Sequence, residues 1–180
     1  MPKIISQSIE DYIKAIYKIA GDDGRASTSQ LAEYLDVTPA SVTGMIQKLS
    51  AADKPLLDYK KHRGVILTPK GKKVALETLR HHRLLEVFLH ESLDFPWDEV
   101  HDEADRLEHV ISEKFEESMA IALGNPKHDP HGDPIPRRDL TMPSSSATSL
   151  VDLRPGQKAI VKRVQDDDPK LLRHLSEQGV

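Results

Sequence analysis

Between Ser27 and Ala51 the chain reads STSQLAEYLDVTPASVTGMIQKLSA, and no other stretch restricts the fold as much. Ser27 or Thr28 can cap a short helix whose apolar stripe is Leu31, Ala32 and Leu35, and DVT breaks it. Pro39 then opens a second helix, because its fixed φ suits a first turn. Val42, Met45, Ile46 and Leu49 make the buried face of that helix, leaving Ala40, Ser41, Thr43, Gly44 and Gln47 as a small, polar outer set. Two short helices around a tight turn are a helix-turn-helix candidate.

The neighbouring segments extend the pattern. Upstream, SIEDYIKAIYKIA (8–20) places Ile9, Tyr12, Ile13, Ile16 and Tyr17 at helical spacing. Downstream, Leu56–Tyr59 and Val65–Leu67 alternate around a basic tip and predict a hairpin in the position of a wing. From Lys54 to Lys73 there are seven basic residues and one acidic one, either a solvated loop or a surface that calls for an anionic partner. Charge is divided along the chain: residues 1–75 carry 12 basic and 8 acidic side chains, and the remainder 13 and 21. A basic front and an acidic back point to different partners.

Without cysteine the chain makes no disulfide, thiolate zinc finger or iron–sulfur cluster, so any metal must sit on nitrogen and oxygen. No apolar run approaches the roughly 20 residues of a membrane span, and the expectation is a soluble cytoplasmic protein without membrane contact. A long helix is predicted from Pro69 to about His90. Its Val74, Leu79, Leu84, Leu85, Val87, Phe88 and Leu89 exceed what one face needs, which suggests a helical dimer interface. A further helix is expected after Pro96, and another from Ser112 or Glu113 to Leu123 with Gly124 as its stop. Gly124 to Ser146, with five prolines, reads as a linker lacking regular elements. Leu150–Leu153 and Ala159–Val164 read as a strand pair followed by a short helix, part of a small barrel.

Histidine and carboxylate concentrate between 81 and 109. His82 and Glu86 are four apart, and His101, Asp105, Glu108 and His109 follow at intervals of 4, 3 and 1, which would place them on one broad helix face. Imidazole and carboxylate together suit manganese(II), iron(II), cobalt(II) or zinc(II). A surface helix with ordinary ion pairs has the same spacing. A hydrolytic metal site is the alternative from another class, but HExxH, GxSxG, GxxxxGK[ST] and GxGxxG are all missing. No enzyme and no small organic substrate are expected.

SIEDYIKAIY, TPASVTGMIQKL, HRGVILTPKGKK, RHHRLLEVFL and VHDEADRLEHV, in that order from Ser8 to Leu123, resemble the diphtheria toxin repressor family of metal-dependent regulators, including its manganese transport regulators. The resemblance implies a mainly α fold with a small β component. Its parts would be a winged helix-turn-helix domain (1–72), a helical metal-binding and dimerisation domain (73–140), and a linker with an incomplete SH3-like segment (141–180). It also implies a homodimer on double-stranded operator DNA. Asp11 matches the ligand on the first helix that is methionine in iron-type members and aspartate in manganese-type ones. Asp105 matches a position that is cysteine in the former and glutamate in the latter, and Glu108 and His109 match the remaining primary ligands. Oxygen at both variable positions resembles the manganese branch, with an iron(II)-dependent regulator as the alternative and cobalt, zinc or cadmium able to substitute in vitro. The ancillary site of iron-type members matches His82, Glu86 and His101, with Asp167 or Asp168 as a ligand from the third domain. Lys14 stands where manganese regulators lacking that domain have a glutamate ligand, so their two-ion cluster does not transfer. The barrel of the family is longer than the segment here, and loose docking or disorder is expected after about Asp139.

By this resemblance an ion shared between Asp11 and the 105–109 ligands would tie the two domains together and set the spacing of the reading heads. Full switching needs a differential affinity of about 10⁴, or ~5.5 kcal/mol. Three carboxylates leave the empty site near −3, and their repulsion opposes closure. Thr38, Pro39, Ala40, Ser41, Thr43 and Gly44 are the expected groove contacts, and Gln47, Lys48, Lys60, Lys61 and Arg63 are directed at phosphate or the minor groove.

Overall fold

The computed structural model describes residues 5–20, 24–144, 148–165 and 168–179. Its elements are α1 (Gln7–Ala20), α2 (Thr28–Tyr34), α3 (Pro39–Ser50), β1 (Leu57–Lys60), β2 (Gly64–Leu67), α4 (Pro69–Leu93), α5 (Val100–Leu107), α6 (Glu113–Ala122), a 3₁₀ turn (Leu150–Asp152) and α7 (Pro169–Glu177). Two compact units divide within α4, Met1–Thr78 and Leu79–Val180.

In the first unit the local signals and the packing agree. Ser27 forms a capping box with Gln30: its hydroxyl accepts from Gln30 N at 3.2 Å, and Ser27 N donates to Gln30 Oε1 at 3.0 Å. Thr38 caps α3 by accepting from Ser41 N at 3.2 Å, and Pro39 occupies the first turn. The faces so positioned bury Ile13, Ile16, Leu31, Val42, Ile46, Leu49, Leu57 and Val65 in one cluster, each large side chain stabilising by about 1.5–3 kcal/mol. β1 and β2 pair antiparallel with Leu57 opposite Leu67 and Lys60 opposite Gly64. Ala26 and Val65 exchange two backbone hydrogen bonds of 2.9 Å, which ties the tip end of β2 to the α2 entry. Gly64 is required there: its φ is +81°, and a Cβ would lie 2.6 Å from the Ala26 carbonyl oxygen.

The second unit departs from expectation at four places. Leu84, Leu85, Val87 and Leu89 on α4 do not form a free apolar surface; they pack with Val100, Ala104, Met119, Ala120 and Ile135 inside the chain. The apolar side chains this unit leaves exposed include Leu93, Val110, Phe115 and Ile121 instead. α5 ends at Leu107, so Glu108 and His109 lie on the following turn and only His101 and Asp105 share its helical face. Ser112 starts a new helix two residues after that turn, its hydroxyl accepting from Phe115 N at 3.2 Å.

The third difference is the proline-rich segment, which has no helix or ladder yet is packed from Asp129 to Pro136, apart from a half-buried Pro130 and Gly132. Asp129 organises it: its Oδ1 accepts from His131 N and Asp133 N, both at 2.9 Å. Arg80 and Arg83 on α4 donate to the carbonyls of Pro136 (2.8 Å) and Pro134 (2.6 Å), so the backbone is satisfied without secondary structure. The fourth is the strand pair. Leu150–Asp152 is a 3₁₀ turn, residues 159–164 form no ladder, and Ile160 and Val161 are exposed. The expected short helix is present as α7, seated by a wholly buried Leu172 and an Arg173 Nη1–Asp98 Oδ2 contact of 2.9 Å. It belongs to the same compact unit as α5, α6 and the part of α4 from Leu79 onwards. Among the described residues no helix is long and apolar enough to cross a membrane.

Candidate functional site

The ligand-type residues of the second unit meet around His82, which is 1 % exposed. Its Nδ1 lies 2.6 Å from Glu108 Oε2 and 3.2 Å from Asp105 Oδ1. On the other side its Nε2 lies 3.0 Å from Glu86 Oε1 and 3.1 Å from His101 Nδ1. His101 Nδ1 is also 3.1 Å from Glu86 Oε1, and His109 Nε2 is 3.2 Å from Glu108 Oε1. The two sets read separately from the sequence, Asp105–Glu108–His109 and His82–Glu86–His101, therefore join into one network with His82 shared. Asp11 lies half-buried on α1 of the first unit. Asp167 lies outside the described residues, and Asp168 caps α7, its carboxylate accepting from Lys170 N and Leu171 N.

Electrostatics follow from this packing. Burial drives His82 towards its neutral form, but Glu86, Asp105 and Glu108 outweigh burial and raise its pKa well above the ordinary imidazole value. Glu86, buried too, is held well below the usual carboxylate range because His82 and His101 outweigh its desolvation. A proton on His82 thus occupies the place between carboxylates that a dication would take. The turn carrying Glu108 is braced from α4, where His81 Nδ1–H donates to the Glu108 carbonyl at 3.1 Å and His81 Nε2 faces Glu116 Oε2 at 3.0 Å.

A further donor set was hidden in the segment read as a linker. Glu86, Asp129 and His131, all buried, bring one ligand atom each to within 4.8 Å of one another. Burial, then the charge of Glu86, push Asp129 up to about 8, although Arg83 Nε stands 3.3 Å from its Oδ2. The signal was present in HDPHGDP, whose two His and two Asp within six residues are dense for a linker.

The donors fit a divalent ion. Glu86 Oε2 and His131 Nδ1 are buried and have no hydrogen-bond partner among the described residues, and unpaired polar atoms next to carboxylates are costly unless something positive neutralises them. The set is imidazole and carboxylate, without sulfur, as borderline and hard dications prefer.

In the first unit Pro39, Ala40, Ser41, Gly44, Gln47 and Lys48 are exposed along α3, opposite buried Val42, Ile46 and Leu49. Thr43 is half-buried and donates its hydroxyl to Pro39 O at 2.9 Å, and exposed Thr38 is engaged in the cap. Lys60, Lys61 and Arg63 are exposed at the hairpin tip. Nothing lies within 4 Å of a Cβ built on Gly44, so the outer face of α3 is open to approach.

Two family models match: the N-terminal DNA binding domain of iron dependent repressors over residues 5–65, and their metal binding and dimerisation domain over 68–137. The HTH-type transcriptional regulator MntR of Oceanobacillus iheyensis is 44 % identical over 105 residues, 58 % of this chain and 69 % of that protein. The iron-dependent repressor IdeR of Mycobacterium leprae is 30 % identical over 184 residues, 95 % of this chain and 79 % of its own length. Among solved structures, a manganese-dependent transcriptional repressor in complex with manganese is 39 % identical with a TM-score of 0.87, covering 96 % of this chain and 78 % of that one. ScaR with bound Zn²⁺ is 34 % identical with a TM-score of 0.77, covering 95 % and 79 %.

Proposed function

The chain belongs to the diphtheria toxin repressor family of iron- and manganese-dependent regulators, and from that premise we propose that it is a metal-dependent transcriptional repressor that binds operator DNA as a homodimer with manganese(II) as corepressor. The observation that carries the manganese reading is the donor set. Asp105, Glu108, His82 and His109 offer oxygen and nitrogen around one turn, with a carboxylate where a thiolate would favour softer ions. A bound dication supplies the positive charge that lets these carboxylates stand close together. Asp11 enters as a ligand from the sequence resemblance alone.

In this reading α3 enters the major groove with its exposed face, and Lys60, Lys61 and Arg63 meet phosphate or the minor groove. Leu93, Val110, Phe115 and Ile121 supply the apolar surface for a second copy. The protein works with DNA in the cytoplasm and turns over no substrate. An iron(II)-dependent regulator is the second reading, favoured by the IdeR likeness across 95 % of the chain.

Operator-length DNA binding decides between them, measured in chelator and then with manganese, anaerobic iron, cobalt and zinc added singly. Manganese-dependent binding, lost in Asp105→Ala and His109→Ala, is the expected result. Best restoration by iron establishes the second reading, and binding indifferent to chelator and both variants refutes metal control. Because bare affinity favours zinc over manganese, activation at limiting metal rather than tightness assigns the ion.

A further inference from the structure

Trp97, the chain's single tryptophan, lies in the turn before α5 and touches His131 in two ways. Its backbone carbonyl is 2.8 Å from His131 Nε2, and its indole stacks on the imidazole with centroids 5.6 Å apart and planes 25° apart. A carbonyl oxygen can only accept, so the hydrogen of His131 sits on Nε2. In the neutral ring, the form that ligates a metal, the lone pair is then on Nδ1, which is buried, has no hydrogen-bond partner among the described residues, and stands 3.9 Å from Glu86 Oε1. If His131 merely filled space in the core, both of its nitrogens should be satisfied. Instead the acceptor nitrogen faces another acceptor, an arrangement that a cation between them resolves.

We propose that Trp97 is the positioning residue of the Glu86–Asp129–His131 cluster: its carbonyl fixes the Nε2–H tautomer of His131 and its indole fixes the ring plane, so that Nδ1 is the donor offered to a dication. This rests on the reading that the second unit takes divalent metal. The rest of the cluster is organised independently of Trp97. Asp129 is set by the amides of His131 and Asp133, and Glu86 by α4. The His131 backbone is held by Asp129 Oδ1 and by the Val164 amide, which leaves the Trp97 contacts to set the imidazole itself. Holding a metal-ligating imidazole through its second nitrogen typically changes metal affinity by about 10–100-fold.

The test uses the full chain and two variants. Trp97→Phe keeps an aromatic ring and the carbonyl; Trp97→Ala keeps the carbonyl but frees the turn and the imidazole. Two-dimensional ¹H–¹⁵N spectra of the histidine rings in metal-free protein give the tautomer directly, and titration with zinc(II) identifies which nitrogen is ligated. Electron paramagnetic resonance of free manganese(II) gives the number of sites and their affinities. In the unsubstituted chain His131 is expected as the Nε2–H tautomer, with the Nδ1 signal moving on zinc addition. Trp97→Ala is expected to mix the tautomers and weaken one class of manganese site by about 10–100-fold, while Trp97→Phe restores both within a few-fold. An Nδ1–H tautomer in the unsubstituted chain overturns the proposal, as does a Trp97→Ala protein with unchanged tautomer and affinity. Should Trp97→Ala fail to fold, the unsubstituted tautomer and the Phe variant still decide it. Operator binding in the same samples separates the two levels. Its indifference to metal defeats the regulatory reading but not the tautomer assignment, and metal-dependent binding with an unaffected Trp97→Ala site defeats the assignment alone.

Discussion

Replacing Arg83 by methionine should release the 129–136 segment from α4. The guanidinium is almost wholly buried and serves three acceptors: Pro134 O at 2.6 Å, Asp133 Oδ1 at 3.2 Å and Asp129 Oδ2 at 3.3 Å. At those separations each ion pair has a gross attraction of about 5 kcal/mol at an effective dielectric constant of about 20. Much of this is offset by desolvation, and removing one partner of a buried pair costs about 3–5 kcal/mol in practice. Two features place Arg83→Met at the lower end. Asp133 keeps Arg163, whose Nε is 3.3 Å from the same Oδ1, and burial together with the neighbouring Glu86 raises the Asp129 pKa, which lessens the charge that Arg83 has to balance there. The expected loss is therefore about 3 kcal/mol. Urea unfolding of metal-free protein followed by Trp97 emission measures it in the right unit, since Trp97 stacks on His131 of the released segment. Arg83→Lys should recover little, because a point ammonium cannot reproduce a planar fork on three acceptors. In a double-mutant cycle with Asp133→Asn, a coupling of about 1–3 kcal/mol is expected. A single-variant loss under about 0.5 kcal/mol, or a coupling near zero, would refute the idea that Arg83 anchors the segment.

Three further outcomes are expected. Changing Lys60, Lys61 and Arg63 together to Glu should weaken operator binding at low salt and reduce the log–log salt slope by up to about 3, at about 0.9 per lost phosphate contact; fluorescence anisotropy across a salt series measures this, and an unchanged slope excludes the hairpin tip from the DNA. Gly132→Ala should detach residues 162–164, since Gly132 has a φ of +89° and a Cβ there would fall 1.8 Å from Lys162 O; loss of hydrogen-exchange protection at the Val164 amide, which donates to His131 O at 2.9 Å, reports it. Leu172→Ala removes a wholly buried side chain and should cost the seating of α7 about 2–5 kcal/mol, read as faster proteolysis within residues 169–177.

The first unit was legible because each of its signals is local. Caps at Ser27 and Thr38, Pro39 in a first turn and apolar residues at helical spacing all act within a few residues of one another, and burial of Ile13, Leu31 and Ile46 reinforces them. The second unit was less so, because its decisive contacts run between distant positions. The i,i+4 relation of His82 and Glu86 could be read from spacing, whereas the 2.6 Å contact of His82 with Glu108, 26 residues away, could not. Periodicity also carried α5 too far: the spacing of Asp105, Glu108 and His109 suits a helix, but the chain leaves it at Leu107 and Ser112 begins another.

Composition misled most at HDPHGDPIP. Proline and glycine exclude helix and ladder there, but they do not exclude order when side chains satisfy the backbone. Asp129 takes two amides, and Arg80 and Arg83 cap two carbonyls, so the segment is packed without any regular element. The reverse error occurred at 159–164, where one strand of a pair was expected. A strand needs a partner, and the only ladder among the described residues is β1–β2. Both errors have one cause. Local composition reports what a backbone can adopt by itself, whereas contacts with distant residues decide which backbone is held, as the buried arginines of α4 and the carboxyl of Asp129 do at 129–136.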